Sequence, residues 1–169
     1  DEIGTLAALR QHRTDLIGGK IEEHGGRIVK TMGDGLLLEF ASVVDATRCA
    51  IEVQQGMAAR NEGVEPDRQM TFRIGINLGD IIVEGDDIYG DGVNVAARLE
   101  ALALPGAVLM SEAALHSLTD GPAVSFQRLG SRQLKNIETP VLLYGWAPGE
   151  IATSPLAQAE DHAPVDPST

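Results

Sequence analysis

Asn94 and Arg98 stand four residues apart in a stretch with helical spacing, so their side chains share one helical face. A planar guanidinium beside an amide suits phosphate or ribose oxygens. The same spacing also describes an ordinary exposed polar face. In Lys30-Thr31-Met32-Gly33-Asp34-Gly35, a glycine-bounded turn sets the Asp34 carboxylate at a hairpin tip. A carboxylate there suits Mg²⁺, a hard cation that takes oxygen ligands, while an Asp-Gly turn stabilises a hairpin without any ligand. Strand alternation places Lys30 on one face with Ile28 and Met32, among apolar neighbours, which fits a ligand site or a sheet edge. Asp86, Asp87 and Asp91 crowd one segment, suited to a cation, to hydrogen bonds from a base, or to plain solvation. Lys135 adds a cation within Leu134-Lys135-Asn136-Ile137 that suits phosphate or an ordinary surface.

The elements that must position these residues follow from periodicity. Leu6, Leu9, Leu16, Ile17 and Ile21 approximate a helical stripe that Gly25-Gly26 ends. Arg27 to Phe40 reads as a hairpin across the Gly33-Asp34-Gly35 turn. Ser42 caps a helix whose apolar face is Val43, Ala46, Ala50, Val53 and Met57. Asn61 to Asp67 is a polar loop. A second hairpin is expected from Phe72, Ile74 and Ile76 through Asn77-Leu78-Gly79-Asp80 to Ile81–Val83, followed by a loop from Glu84 to Gly92. A helix from about Val93 to Leu102 stops at Pro105-Gly106. Ala107–Met110 forms a strand, Ser111 caps a short helix to Leu118, and Phe126–Leu134 and Val141–Trp146 supply the last strands. Helices interleaved with antiparallel hairpins give an α+β fold, helices packed on an antiparallel sheet. One domain is expected over residues 1–147, with residues 148–169 a flexible tail or linker rich in Ala, Pro, Ser and acids.

A formal charge of −12, from 25 acidic and 13 basic residues, argues against nucleic acid as a partner. It leaves a polyphosphate substrate open, because a few cations and a divalent metal offset charge locally. No apolar run approaches the roughly 20 residues that cross a bilayer, so no membrane contact is expected of this domain. Cys49 is the single cysteine, which excludes a disulfide framework and fits a reducing, cytoplasmic setting.

Asp87-Ile88-Tyr89-Gly90-Asp91-Gly92-Val93-Asn94-Val95-Ala96-Ala97-Arg98-Leu99-Glu100 resembles the signature of class III adenylate/guanylate cyclases, above all the bacterial subgroup. Lys30 to Asp34 resembles that family's lysine-to-metal-aspartate stretch, Arg73 to Gly79 its middle hairpin, and Leu129 to Tyr144 its closing strands. The resemblance spans about residues 1–147. It implies a ferredoxin-like antiparallel sheet covered by helices, and two like subunits packed head to tail with active sites at their interface. It implies that Asp34 is one of two metal aspartates for two Mg²⁺ or Mn²⁺ ions. The other aspartate is expected on a first strand upstream of Asp1, and catalysis depends on its presence in the full-length protein. Lys30 and Asp87 would face the purine as an adenine-selecting pair. Asn94 would orient the ribose, Arg98 would stabilise phosphate charge in the transition state, and Lys135 would contact the polyphosphate.

The activity so implied is adenylate cyclase: the ribose 3′-hydroxyl of ATP attacks the α-phosphorus and pyrophosphate leaves. The alternative is a non-catalytic cyclase-homology module that binds nucleotide or only dimerises. The Gly-Gly-acid-acid-Phe type of turn of diguanylate cyclases is absent, since the turn reads Met32-Gly33-Asp34-Gly35.

Overall fold

The computed structural model describes residues 13–32, 35–118 and 124–149. The opening helical stripe before Arg13, the Gly33-Asp34 turn and the tail beyond Gly149 therefore lie outside the described residues. A π-helical turn, Arg13–Ile17, leads into α1 (Gly18–Glu23). Gly25, at φ +73°, then turns the chain into a hairpin of β1 (Arg27–Met32) and β2 (Gly35–Glu39).

This hairpin is not a regular ladder. Ile28 faces Leu38 and Lys30 faces Leu37, so β1 carries one extra residue between those two pairs. Neighbouring residues of β2 point to opposite faces, and the bulge therefore puts Ile28 and Lys30 on opposite faces as well. That corrects the strict alternation expected from the sequence, which groups them. Ile28 is left 50% exposed, while Val29 packs with Leu37, Ile88 and Val93.

Ser42 caps α2 (Val43–Arg60) as expected, its Oγ accepting from Asp45 N at 3.1 Å. After a 3₁₀ turn at Pro66–Arg68 comes β3 (Ile74–Ile76). The expected hairpin between this strand and residues 81–83 does not form. Instead β3 pairs in parallel with β6 (Val108–Ser111), and β4 (Ile82–Glu84) pairs with β5 (Asp87–Tyr89), a strand that replaces part of the expected loop. Gly85-Asp86 makes the two-residue turn between them. Gly85 has φ +61°, which suits the first central position of a type II′ turn. Parallel partners need a crossover, and here it consists of β4, β5 and α3 (Asp91–Leu102).

The four-stranded sheet has the order β3-β6-β8-β7, with β7 at Gln127–Arg132 and β8 at Val141–Trp146. Its other pairs are antiparallel, so the α+β architecture stands with one parallel pair added. Ser111 caps a short α4 (Glu112–Leu115). β6 is buried along its whole length because both its faces are covered. Leu109 packs with Leu99 of α3 and with Leu143. Val108 and Met110 face the other way, toward Val43 and Ala50 of α2. No described helix is long and apolar enough to cross a membrane.

Cys49 is buried with Ile21 and Val53 where α1 packs on α2, and burial, reinforced by Glu52, pushes its thiol up to about 11. A raised folded pKa stabilises the native state below the unfolded value and loses that contribution as pH climbs. Stability should therefore fall as the pH rises from about 9, the ordinary thiol value, toward 11. Native protein at pH 8 should react with a thiol alkylating reagent at least tenfold more slowly than urea-unfolded protein. Equal labelling rates would contradict this burial.

Candidate active site

Lys30 reaches the site because the β1 bulge turns it to the Leu37 face, against which Ile88 of β5 packs. Its Nζ lies 2.9 Å from Asp87 Oδ1 and 5.4 Å from the centre of the Tyr89 ring. Asp87 also accepts from its neighbour's N–H, Ile88 N, at 2.7 Å. The Lys30 ammonium first, and that N–H second, hold the Asp87 carboxyl below the ordinary aspartate value, against the opposing effect of partial burial. Tyr89 donates to Glu84 Oε1 at 2.9 Å across the β4–β5 turn, which pushes its phenol up. A third or more of the Lys30 and Asp87 side chains remains exposed, so the donor and the acceptor are both open to a ligand.

α3 starts directly behind β5. Gly90, at φ +116°, makes the corner, and its carbonyl accepts from the N–H groups of Val93 and Asn94. Asn94 is exposed on the first turns, and Arg98 follows one turn later. Arg98 Nε donates to the carbonyl of Lys135 at 3.2 Å, which ties α3 to the β7–β8 loop. There the next residue, Asn136, takes a left-handed φ of 63°. The Lys135 side chain is exposed. The structure thus joins Lys30 to Asp87 directly and Arg98 to the backbone of Lys135. Asn94 lies on α3 between the two groups in sequence. Asp34 lies outside the described residues.

Sequence reasoning overlooked two residues. One is Tyr89, the ring beside Lys30. The other is Asn77, whose Nδ2 donates to Gly92 O at 3.0 Å and whose Oδ1 accepts from Ser111 Oγ at 2.6 Å. A polar residue just after the apolar Ile74–Ile76 strand was the available signal.

Among the described residues, Glu23, His24 and Glu52 form the one convergent group of metal-capable side chains, where α1 meets α2. Lys20 Nζ already sits 2.9 Å from Glu52 and 3.3 Å from Glu23. An ammonium so placed, with an imidazole in the donor set, does not fit a pair of hard, oxygen-seeking cations. The group is an ion-pair network between helices. A cleft of about 620 Å³ opens elsewhere, bounded by Asn77, Asp80, Gly92, Val95, Ser111 and Pro140 among others. None of Lys30, Asp87, Asn94, Arg98 or Lys135 lines it.

The sequence pattern of the family described as "Adenylate and Guanylate cyclase catalytic domain" matches residues 4–146. A Rhizobium meliloti protein named "Putative adenylate cyclase 3" is 42% identical over 174 residues, covering 99% of this chain and 29% of that protein. A Streptomyces coelicolor protein named "Adenylate cyclase" is 32% identical over 127 residues, covering 73% of this chain and 31% of its own length. The chain thus spans about a third of the length of these curated relatives. Among solved structures, an adenylate/guanylate cyclase/hydrolase from Silicibacter pomeroyi superposes with a TM-score of 0.83 at 42% identity, covering 88% of each chain.

Proposed function

The chain belongs to the family of adenylate and guanylate cyclase catalytic domains, and we propose that within it this domain makes 3′,5′-cyclic AMP from ATP. The 2.9 Å Lys30–Asp87 pair carries the reading. Lys30 offers a donor to adenine N1, and Asp87, held ionised, offers an acceptor to the exocyclic amino group. Guanine presents the opposite pattern at both points, so the pair selects against it.

In the proposed reaction the ribose 3′-oxygen forms a bond to the α-phosphorus and loses its proton, and the bond to pyrophosphate breaks. Asn94 orients the ribose, while Arg98 and the Lys135 ammonium meet the phosphate charge. Positioning and charge stabilisation supply the acceleration, with no covalent intermediate on the protein. Two divalent cations, Mg²⁺ or Mn²⁺ with Asp34 as one ligand, belong to this reading and would neutralise phosphate charge when bound. The domain, residues 1–147, would act in the cytoplasm as a head-to-tail homodimer. Leu78, Ile81, Ile82 and Val83, each at least 40% exposed around β4, support an interface there.

The test is cyclic nucleotide formation by the full-length protein from ATP and GTP, with each metal. ATP should be preferred, and Lys30→Glu, which removes the donor and sets a second carboxylate beside Asp87, should lower kcat/KM for ATP by about 10- to 100-fold. Equal use of ATP and GTP by the unaltered protein would overturn the adenine assignment. Nucleotide binding without turnover would leave the non-catalytic module.

A further inference from the structure

α3 carries Asn94 and Arg98, yet it is a short helix set on a sheet, and something must fix where its first turn lies. Hydrophobic packing does this at the far end, where Leu99 is fully buried. At the near end Val93 packs with Leu37 and Ile88, and a polar tie adds to that packing on the side facing β3 and β6. Asn77 follows β3, and its amide spans two other elements, donating to Gly92 O in the first turn of α3 and accepting from Ser111 Oγ at the end of β6. The amide orientation is determined by its partners. Ser111 Oγ already accepts from Ala114 N at 3.3 Å, so its proton is available to Asn77 Oδ1, and a carbonyl at Gly92 demands the N–H₂ group. Gly92 N in turn donates to Asp80 O at 3.0 Å. The fit there is close enough that a Cβ on Gly92 would come within 2.7 Å of that oxygen.

We propose that Asn77 is a positioning residue for the cyclase reaction: it pins the first turn of α3 to β3 and β6 and so sets where Asn94 and Arg98 meet the nucleotide. This rests on the adenylate cyclase reading. In this proposal Asn77 acts through the helix and not on the nucleotide. A displacement of about 1 Å in a positioning group costs up to about 100-fold in rate, so the strut need hold only a small movement to matter.

The experiment compares Asn77→Leu with the unaltered full-length protein, in the native background and in Arg98→Ala. In the native background kcat for ATP should fall about tenfold, with KM changed less than threefold. In Arg98→Ala the same substitution should lower kcat by at most a third of that factor, because the helix then delivers less. A larger factor there, or an unchanged native kcat, overturns the proposal. Amide hydrogen exchange reads the strut without turnover: exchange at Ala96 and Ala97 should rise at least tenfold in Asn77→Leu, and an unchanged rate also overturns it. Absent turnover in the unaltered protein together with raised exchange would sink the cyclase reading and leave the strut standing. Should Asn77→Leu fail to fold, Asn77→Asp, whose carboxylate still accepts from Ser111 Oγ but has no proton for Gly92 O, carries the same expectations.

Discussion

Replacing Arg98 with alanine should lower the kcat for cyclic AMP formation by about 10²–10³-fold, the loss typical of removing one transition-state donor, while KM for ATP stays within about threefold. The reasoning starts from the donor inventory. A guanidinium has five N–H donors in a fixed fork, and the structure commits Nε to the Lys135 carbonyl at 3.2 Å. That bond orients the group, leaving the terminal nitrogens as the donors for phosphate. Charge that builds on the phosphate during attack is met more strongly in the transition state than in bound ATP, so the loss falls on kcat. Arg98→Lys should recover little, because one ammonium cannot both hold the loop carbonyl and present a fork. Steady-state rates for the three proteins decide the matter. An Arg98→Ala enzyme with native kcat would remove Arg98 from the chemistry.

Gly75→Ala should cost about 3 kcal/mol of stability, at the upper end of ordinary overpacking. A Cβ at this position would lie 2.5 Å from Glu100 N and 2.8 Å from both Ala96 O and Leu99 Cβ. Two of those three atoms are backbone, so a rotamer change cannot relieve the contact and α3 must move off β3 as a unit. For a domain of this size the melting temperature should fall by roughly 6–12 °C. Activity should fall as well, since the displaced helix is the one that carries Asn94 and Arg98. Gly19→Ala is the matched control. Gly19 lies in α1 with nothing within 4 Å of its would-be Cβ, and alanine is the better helix former, so that variant should melt at or slightly above the native temperature. If both glycine variants melt alike, close packing of α3 on β3 is not what holds the helix.

Local signals were legible. Ser42 and Ser111 predict their caps because a cap is a contact between residues three apart, and both form. The apolar face of α2 and the β1–β2 hairpin follow from periodicity of the same short range. Long-range choices were not legible. Ile74–Ile76 and Ile81–Val83 look like two arms of one hairpin, since alternation says that each is a strand without saying which strand it joins. Gly75 decides it: without a side chain there, α3 can lie on β3, and β3 then completes the buried sheet beside β6 while β4 stays exposed with β5.

The same division runs through the candidate site. Residue types and order alone single out Lys30, Asp87, Asn94, Arg98 and Lys135 and carry the cyclase resemblance, because chemistry is written in side-chain identity. That Lys30 meets Asp87 at 2.9 Å is a tertiary fact. It depends on one extra residue in β1 reversing the face on which Lys30 stands, and on Leu37, Val29, Ile88 and Val93 packing the two hairpins and α3 together. Composition and periodicity record what each residue prefers by itself. Which distant residues meet is settled by burying those preferences together, and only the folded chain does that.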